Sequence, residues 1–486
     1  MNQNFTNSIL INCIWRLLER IGSQSITLIV SIILARLLDP NVYGIVALVV
    51  IINTILNVFV DSGFAKALVQ KKEFDEKDFS TVFVFNTSFC IALYFLIYII
   101  APYVSEVYNV SNLSVVIRVM GISIILYGIR NVLVAYISKF LLFKKMLFSS
   151  LMGTVCGAFV GIFMALNGFG LWALVFKELV SAIVDTLILW FLIEWKPTFY
   201  FSKERLKSLF AYGWKILIAS LLIHGYNNIR QLVVGKVYMP SDLAYFNQGR
   251  QFPNAIATNI NNAMDSVLFT IYSNEQDNKE KIKNIIRKSL NINTFIQYPV
   301  LLGLFFSAEN FIQFVLSEKW LPCVPYFRIY CGIFILEPII TNCINSIKAI
   351  GKSEVALKVT VIDKFFGLIF LYIVLYYGPI MIASSMLFTS VISVMLCFIC
   401  NRYFFNYTLF EQCIDIFPNF ALSLVTGGLI YICNNIHSNY ALCFIIQFLL
   451  GFCVYISLSY LFKTKGYKYF NSKAHQMLYK FKHKIN

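Results

Sequence analysis

Apolar stretches of about 20 residues, long enough to cross a bilayer as helices, recur from one end of this chain to the other. They predict fourteen spans, at 11–35, 42–62, 79–101, 113–137, 147–166, 170–193, 211–235, 243–271, 288–307, 324–347, 355–377, 379–401, 414–433 and 441–462. Basic residues collect in every second gap between them. Lys66, Lys71, Lys72 and Lys77 follow the second span, Lys139, Lys144 and Lys145 the fourth, and Lys196, Lys203, Arg205 and Lys207 the sixth. Lys279, Lys281, Lys283, Arg287 and Lys288 follow the eighth, Lys348, Lys352 and Lys358 the tenth, and Arg402 the twelfth. The opposite gaps hold only Arg36, Lys236 and Lys319. Such an alternation places the basic gaps, and with them both termini, in the cytoplasm.

Composition agrees with a membrane solvent. Of 486 residues, 59% are hydrophobic and 13% charged, and the mean hydropathy is +0.72, outside the range of soluble domains. The net charge of +16 is spread over short loops and a tail that carries Lys463, Lys465, Lys468, Lys473, Lys480, Lys482 and Lys484. Anionic membrane lipids, and not nucleic acid, are the partner this spacing implies. The first apolar segment carries Arg16, Glu19 and Arg20 without a small-residue cleavage site after it, so it is expected to remain as a span.

The stretch from Glu194 to Gly213 is the main interruption of the first half. Lys196 and Pro197, then Ser202 as an N-cap, precede Leu206, Leu209 and Phe210 on one helical face with Lys203, Arg205 and Lys207 opposite. The pattern predicts an amphipathic helix on the inner surface. A short repeat supports a division there: Arg36 is followed at four residues by Pro40 and then Tyr43, as Lys236 is by Pro240 and then Tyr245. The expected organisation is all-α: an N-lobe at 1–193, a linker at 194–213, a C-lobe at 214–403, two further spans at 404–462 and a basic tail at 463–486. Two six-span halves related as parallel repeats are a known transporter plan.

Polar residues within spans are costly, about 2.5 to 3.5 kcal/mol for a central Arg, Lys or Asp. Their positions are therefore informative. In the eighth span Asn247, Arg250, Gln251, Asn254, Thr258, Asn261, Asn262 and Asp265 fall within roughly 60° of one line along about 27 Å of helix. The seventh span carries Ser220, His224, Asn227, Asn228 and Gln231 with Arg230 beside them, the first Asn12, Arg16, Glu19, Arg20, Ser23 and Thr27, and the second Asn53, Asn57 and Asp61. Single stripes of this kind are commonly interhelical seams. Four stripes at matching places in the two halves predict a wet cavity, and Arg16, Arg20, Arg230 and Arg250 suit an anionic, phosphate-bearing passenger. Glu337 with Thr341 and Asn345, and Asp363 with Lys364, are candidates for a coupling cation, Na+ or H+, or for structural pairs.

Other chemistry is not indicated. The twelve cysteines lie almost wholly within spans, Cys397 and Cys400 included, and His224, His437, His475 and His483 lack ligand spacing. No metal or bound cofactor is expected. No G-x-x-x-x-G-K-[ST] run is present. The longest outer loop, about Ser307 to Cys323, has only Glu309, Glu318 and Lys319 as charged residues, few for a polymerase or glycosyltransferase acting on lipid-linked sugars.

Several runs, taken together, carry a family resemblance. IILARLLDPNVYGIVAL, DSGFAKALVQKKEF with Thr81 in the following DFSTVFVFN, SKFLLFKKM, GFGLWALV from Gly168 and VVGKVYMPSDLAYFNQGRQFP from Val233 resemble the Wzx-type oligosaccharide flippases. The similar subgroup includes teichuronic and colanic acid exporters, within the multidrug/oligosaccharidyl-lipid/polysaccharide superfamily. This resemblance implies two six-helix lobes arranged as a V with two extra C-terminal helices, fourteen transmembrane helices in all. It also implies a bacterial cytoplasmic (inner) membrane location and an undecaprenyl-pyrophosphate-linked oligosaccharide passenger for O-antigen, capsule, exopolysaccharide or teichuronic-type polymers, handed on to polymerase machinery. On that reading Arg16, Arg20 and Arg250 hold the pyrophosphate and Arg230 assists. Asn227, Asn228, Asn254, Asn261 and Asn262 meet sugar hydroxyls, with Asp265 on the same stripe. The alternatives are a cation-coupled multidrug exporter of the same superfamily and a membrane polysaccharide polymerase or glycosyltransferase.

Overall fold

Helix boundaries in this chain are set by caps and prolines as much as by hydropathy. The computed structural model describes residues 3–61, 68, 75–275, 278–433, 439–469 and 471–472, which are helical almost throughout. Their long helices are α1 (Gln3–Leu37), α2 (Pro40–Val60), α3 (Glu76–Tyr108), α4 (Leu113–Phe140), α5 (Phe143–Leu166), α6 (Leu171–Leu192), α7 (Lys203–Val237), α8 (Pro240–Asn274) and α9 (Lys279–Phe306). After a short α10 (Ala308–Val315) and a 3-10 turn (Glu318–Cys323) come α11 (Val324–Ala349), α12 (Ser353–Val374), α13 (Pro379–Phe405), α14 (Leu409–Ile432) and α15 (Tyr440–Leu461). Each of the fourteen expected spans coincides with one long helix. The chain is an all-α, multi-pass membrane protein.

Among the described residues, nine helices are long and apolar enough to cross a membrane, ten if α9 and α10, bent by 80° at Ser307, count as one span. The helices that fall short on composition include those with intramembrane polar residues. Lys177, Glu178 and Asp185 lie on α6, Asn227 and Arg230 on α7, the long stripe on α8, and Asp363 and Lys364 on α12.

Two expectations change. The amphipathic segment after Ser202 is not a separate surface helix but the first turns of α7, which runs unbroken through Gly213 to Val237. Ser202 does cap it, its side chain accepting the Arg205 N–H. Arg205 then donates to Asp75 and, at 2.9 Å, to Asp78, the two residues of the capping box that opens α3. Those bonds, Asp75 first, raise the guanidinium pKa above its ordinary value. Leu209 and Phe210 lie outside the residues whose side chains are described, and Lys66, Lys71, Lys72 and the tail from Lys473 lie outside the described residues altogether. The second change is the outer segment at 307–323, which folds. Its α10 buries Ala308, Asn310 and Ile312, and the turn after it buries Trp320.

The chain forms two compact units, Met1–Ala244 and Tyr245–Asn486. The division falls later than the 194–213 linker because α7 packs on α2 and α3. In the first unit α1 packs on α5, α3 and α2 on α4, and α5 on α6. Small residues set that last distance: a Cβ on Gly157 would stand 2.6 Å from the Lys177 carbonyl oxygen and one on Gly153 2.8 Å from that of Ser181. The sequence repeat is realised here. Helices α1 and α7 are each 35 residues long and end three residues before Pro40 and Pro240, which open α2 and α8. The two copies touch, since a Cβ on Gly44 would fall 1.7 Å from the Pro240 carbonyl oxygen.

In the second unit α9 packs on α11 and α14, α11 on α13, α13 on α12, and α15 on α14 and α10. Its polar hub is Asp415 on α14, whose side chain is fully buried. The carboxylate accepts from Arg287 at 2.6 and 3.2 Å, from the Tyr407 hydroxyl at 2.9 Å and from Lys465 at 2.6 Å, so that α9, α14 and the chain after α15 meet at one charge.

Candidate functional site

Within the first unit, α1 turns much of its polar stripe toward α5. Arg16 pairs with Glu19 at 3.1 Å, donates to the Met146 sulfur at 2.8 Å and lies 5.8 Å from the Phe143 ring, while Ser23 meets the Ser150 hydroxyl at 2.8 Å. Arg20 is exposed. On α7, Asn227 is exposed and the half-buried Asn228 donates to the His224 carbonyl at 2.8 Å. Arg230 is buried, 4% exposed, with its guanidinium 3.4 Å from the Tyr226 hydroxyl and 5.3 Å from that ring. The α2 stripe is in part a seam, Asn53 donating to the Met120 carbonyl on α4 at 3.4 Å.

Within the second unit, the eight-residue stripe of α8 divides. Consecutive helical residues point about 100° apart. Asn262 is accordingly exposed, whereas Asn261 is 4% exposed and accepts from Asn293 on α9 at 3.0 Å. Arg250 and Asn254 are half-buried, the latter accepting from Thr258 at 3.4 Å, and Asp265 bonds Asn345 within reach of Lys348. Glu337 on α11 faces the Asn261 side chain, with Arg250 and Asp265 in electrostatic reach. The structure thus brings Arg250, Asn261, Asp265 and Glu337 into one neighbourhood. Asp363 sits apart from it, accepting from Ser393 on α13 at 2.6 Å and pairing with Lys364 at 3.1 Å.

Sequence reading missed several polar partners. Arg130 on α4 donates to Asp185 on α6 at 2.5 Å and Lys177 pairs with Glu178 at 2.8 Å, charged residues whose pairing no spacing in the sequence marks. Arg118 lies 4.2 Å from the Tyr98 ring, on a different element from Asp185. Asn293 and Gln297, one turn apart on α9, are wholly buried. The second unit also holds an apolar cavity of about 560 Å³ lined by Phe295, Pro299, Phe311, Phe448, Phe452 and Tyr455.

Long spans with arginine and asparagine held in their interiors define a polytopic membrane protein built to accommodate polar matter within the bilayer. The sequence model of the polysaccharide biosynthesis protein family matches residues 33–325, and the chain belongs to that family. It is 21% identical to the lipopolysaccharide biosynthesis protein WzxC of Escherichia coli (strain K12), over 72% of each chain. To the succinoglycan biosynthesis transport protein ExoT of Rhizobium meliloti (strain 1021) it is 22% identical, over 70% of this chain and 69% of that one. Its fold is shared with the lipid II flippase MurJ in an inward closed conformation, at a TM-score of 0.74 and 17% identity over 93% of this chain and 98% of that one. A multidrug resistance MATE family transporter in an inward-facing conformation has the same fold at a TM-score of 0.61 and 16% identity, covering 78% and 94%.

Proposed function

We propose that this protein is a flippase that carries polyprenyl-pyrophosphate-linked oligosaccharide repeat units from the cytoplasmic to the outer leaflet of a bacterial cytoplasmic membrane, both termini being cytoplasmic. The polyprenyl carrier is undecaprenol. Membership of the polysaccharide biosynthesis protein family supports the passenger class, and ExoT, described as a transport protein, supports movement over synthesis. Arg250 carries the reading: a half-buried guanidinium within a span is a binding group for a doubly charged pyrophosphate, because it is always ionised and forks onto two oxygens. Arg16, Arg20 and Arg230 add charge for the same group. Asn227, Asn228, Asn254 and Asn262, at the surface or half-buried, hydrogen-bond sugar hydroxyls while the polyprenyl chain stays in lipid.

Transport proceeds by alternating access, two conformations exposing the passenger to one leaflet and then the other. Glu337 and Asp363 are the candidates for cation coupling, and a polysaccharide polymerase receives the product. The test is Arg250→Ala in the native host. Lipid-linked repeat units should accumulate in the inner leaflet and surface polysaccharide should fall by tenfold or more, with protein level unchanged. Normal surface polysaccharide in that strain refutes the assignment.

A further inference from the structure

Pro102 interrupts the hydrogen-bond ladder of α3: lacking an N–H, it leaves the Tyr98 carbonyl, four residues earlier, without its helical donor. Arg118 on α4 supplies one. Its Nε donates to that oxygen at 3.2 Å while its guanidinium lies 4.2 Å from the centre of the Tyr98 ring. The corresponding helices of the second half, α9 and α11, repeat the arrangement. Arg328 Nε donates at 3.3 Å to the carbonyl of Phe305, in the last turn of α9 where helical donors run out, and its guanidinium lies 6.0 Å from the centre of the Phe305 ring. Each arginine thus spends one nitrogen on the backbone of the preceding span and rests on the ring of that same residue, which leaves the fork of its two terminal nitrogens held in place.

In the second half the fork has a partner. Nη2 of Arg328 donates to Glu309 at 3.0 Å, and Glu309 belongs to α10, the short helix inserted between α9 and α11. The first half has no such insertion, since residues 109–112 alone join α3 to α4. Among the described residues no carboxylate pairs with Arg118, and its terminal nitrogens make no hydrogen bond. The surface around it is apolar and open. Val115 and Ile122, on the same face of α4, are 43% and 40% exposed, and Phe95, a turn before Tyr98 on α3, is 59% exposed. Exposed apolar residues of a spanning helix face lipid, so this guanidinium stands at the lipid boundary without a carboxylate to balance it. It lies five residues inside the start of α4, about 7.5 Å along the axis, a depth from which an arginine side chain reaches the headgroups.

We propose that Arg118 and Tyr98 form a site for the phosphate of an anionic glycerophospholipid, in the leaflet on the side of the α3–α4 turn. A phosphodiester offers the fork two acceptor oxygens and one negative charge, as the Glu309 carboxylate offers Arg328. Zwitterionic lipid, which carries its own ammonium beside the phosphate, is the weaker competitor. Binding does not depend on the transport reading; only the naming of that leaflet as the outer one rests on the proposed cytoplasmic termini. The test places p-benzoyl-phenylalanine at Val115 of the full-length protein, in vesicles of equal phosphatidylglycerol and phosphatidylcholine, and identifies the photo-crosslinked lipid by mass spectrometry. The same probe at Phe159, exposed near the same end of α5, gives the reference ratio. Phosphatidylglycerol adducts at position 115 should exceed that ratio by about fivefold, the worth of one basic residue at an anionic surface. Arg118→Gln should bring the two positions level. Pro102→Ala returns to Tyr98 its helical donor and takes from Arg118 its anchor, so it should cut the enrichment by about half or more, even where Arg118→Gln fails to fold. Equal ratios at positions 115 and 159 in the wild type overturn the site, as does enrichment undiminished in both variants. Transfer of the adduct to undecaprenyl pyrophosphate, added as a minor component, overturns the phospholipid assignment in favour of the transported lipid. Surface polysaccharide in the Arg250→Ala strain reports separately on flipping, so loss of one reading leaves the other standing.

Discussion

Gly44→Ala is the smallest change with the largest geometric consequence. The added Cβ would stand 1.7 Å from the oxygen, 2.2 Å from the carbon and 2.8 Å from the Cα of Pro240, all of them backbone atoms that no rotamer can move. Restoring ordinary contact near 3.4 Å requires the starts of α2 and α8 to part by about 1.7 Å. Overpacking of this kind costs about 1–3 kcal/mol, a factor of about 5–150 in the population of a state that needs the contact. An impermeant maleimide reacting with Ser241→Cys reads that population, with the same glycine variant lacking Ser241→Cys as background for the native thiols. Gly44→Ala should accelerate labelling by about 5–150-fold, and Gly44→Ser should match it, since the Cβ decides. Gly225→Ala, with nothing within 4 Å of its Cβ, should not change the rate. Equal labelling of Gly44→Ala and wild type would show that the two repeat copies do not rest on one another as described.

Asp415→Ala removes the carboxylate that holds Arg287, Tyr407 and Lys465. Breaking a buried pair costs about 3–5 kcal/mol, and partial exposure of the Arg287 and Lys465 side chains, 29% and 63%, lets them rehydrate and favours the low end. At about 2–4 °C per kcal/mol, differential scanning fluorimetry should show a fall of about 6–12 °C. Lys465→Ala should cost no more than about 1 kcal/mol; equal losses in the two variants would mean that the lysine is the main tie. Gly157→Ala drives a Cβ to 2.6 Å from the Lys177 carbonyl oxygen, and α5 and α6 should separate at about 1–3 kcal/mol, seen as a lower monodisperse fraction on size exclusion. An unchanged elution profile would count against the close approach of the two backbones.

What the sequence made legible follows from the range of each interaction. Span positions were readable because membrane insertion depends on local composition, and the Arg36–Pro40 and Lys236–Pro240 spacing marked the helix breaks because proline acts on its own turn. The 307–323 segment was not, its eight-residue α10 being too short for a span and its burial decided by α15 and α11. Nor was the continuity of α7, where Ser202 announced a start and Gly213 suggested a stop that the helix ignores. Intramembrane charges could be found from sequence, but their partners could not. Asp185 lies 55 residues from Arg130, and Asn293 lies 32 from Asn261, separations over which periodicity says nothing. The stripe on α8 shows the same limit: its residues share an arc, yet Asn261 turns into α9 while Asn262 remains open.

The hub at Asp415 also has a bearing on biosynthesis. Its partners leave the ribosome in the order Arg287, Tyr407, Lys465, and the carboxylate enters the translocation machinery with two of them already made. Lysine 465 follows only after α15 has been synthesised. Before that point Arg287 and Asp415 already balance one another in charge, with the Tyr407 hydroxyl donating to the same carboxylate. Arrival of the lysine then ties the chain after α15 to α9 and α14, so the C-terminal end of the second unit is the last to be fastened.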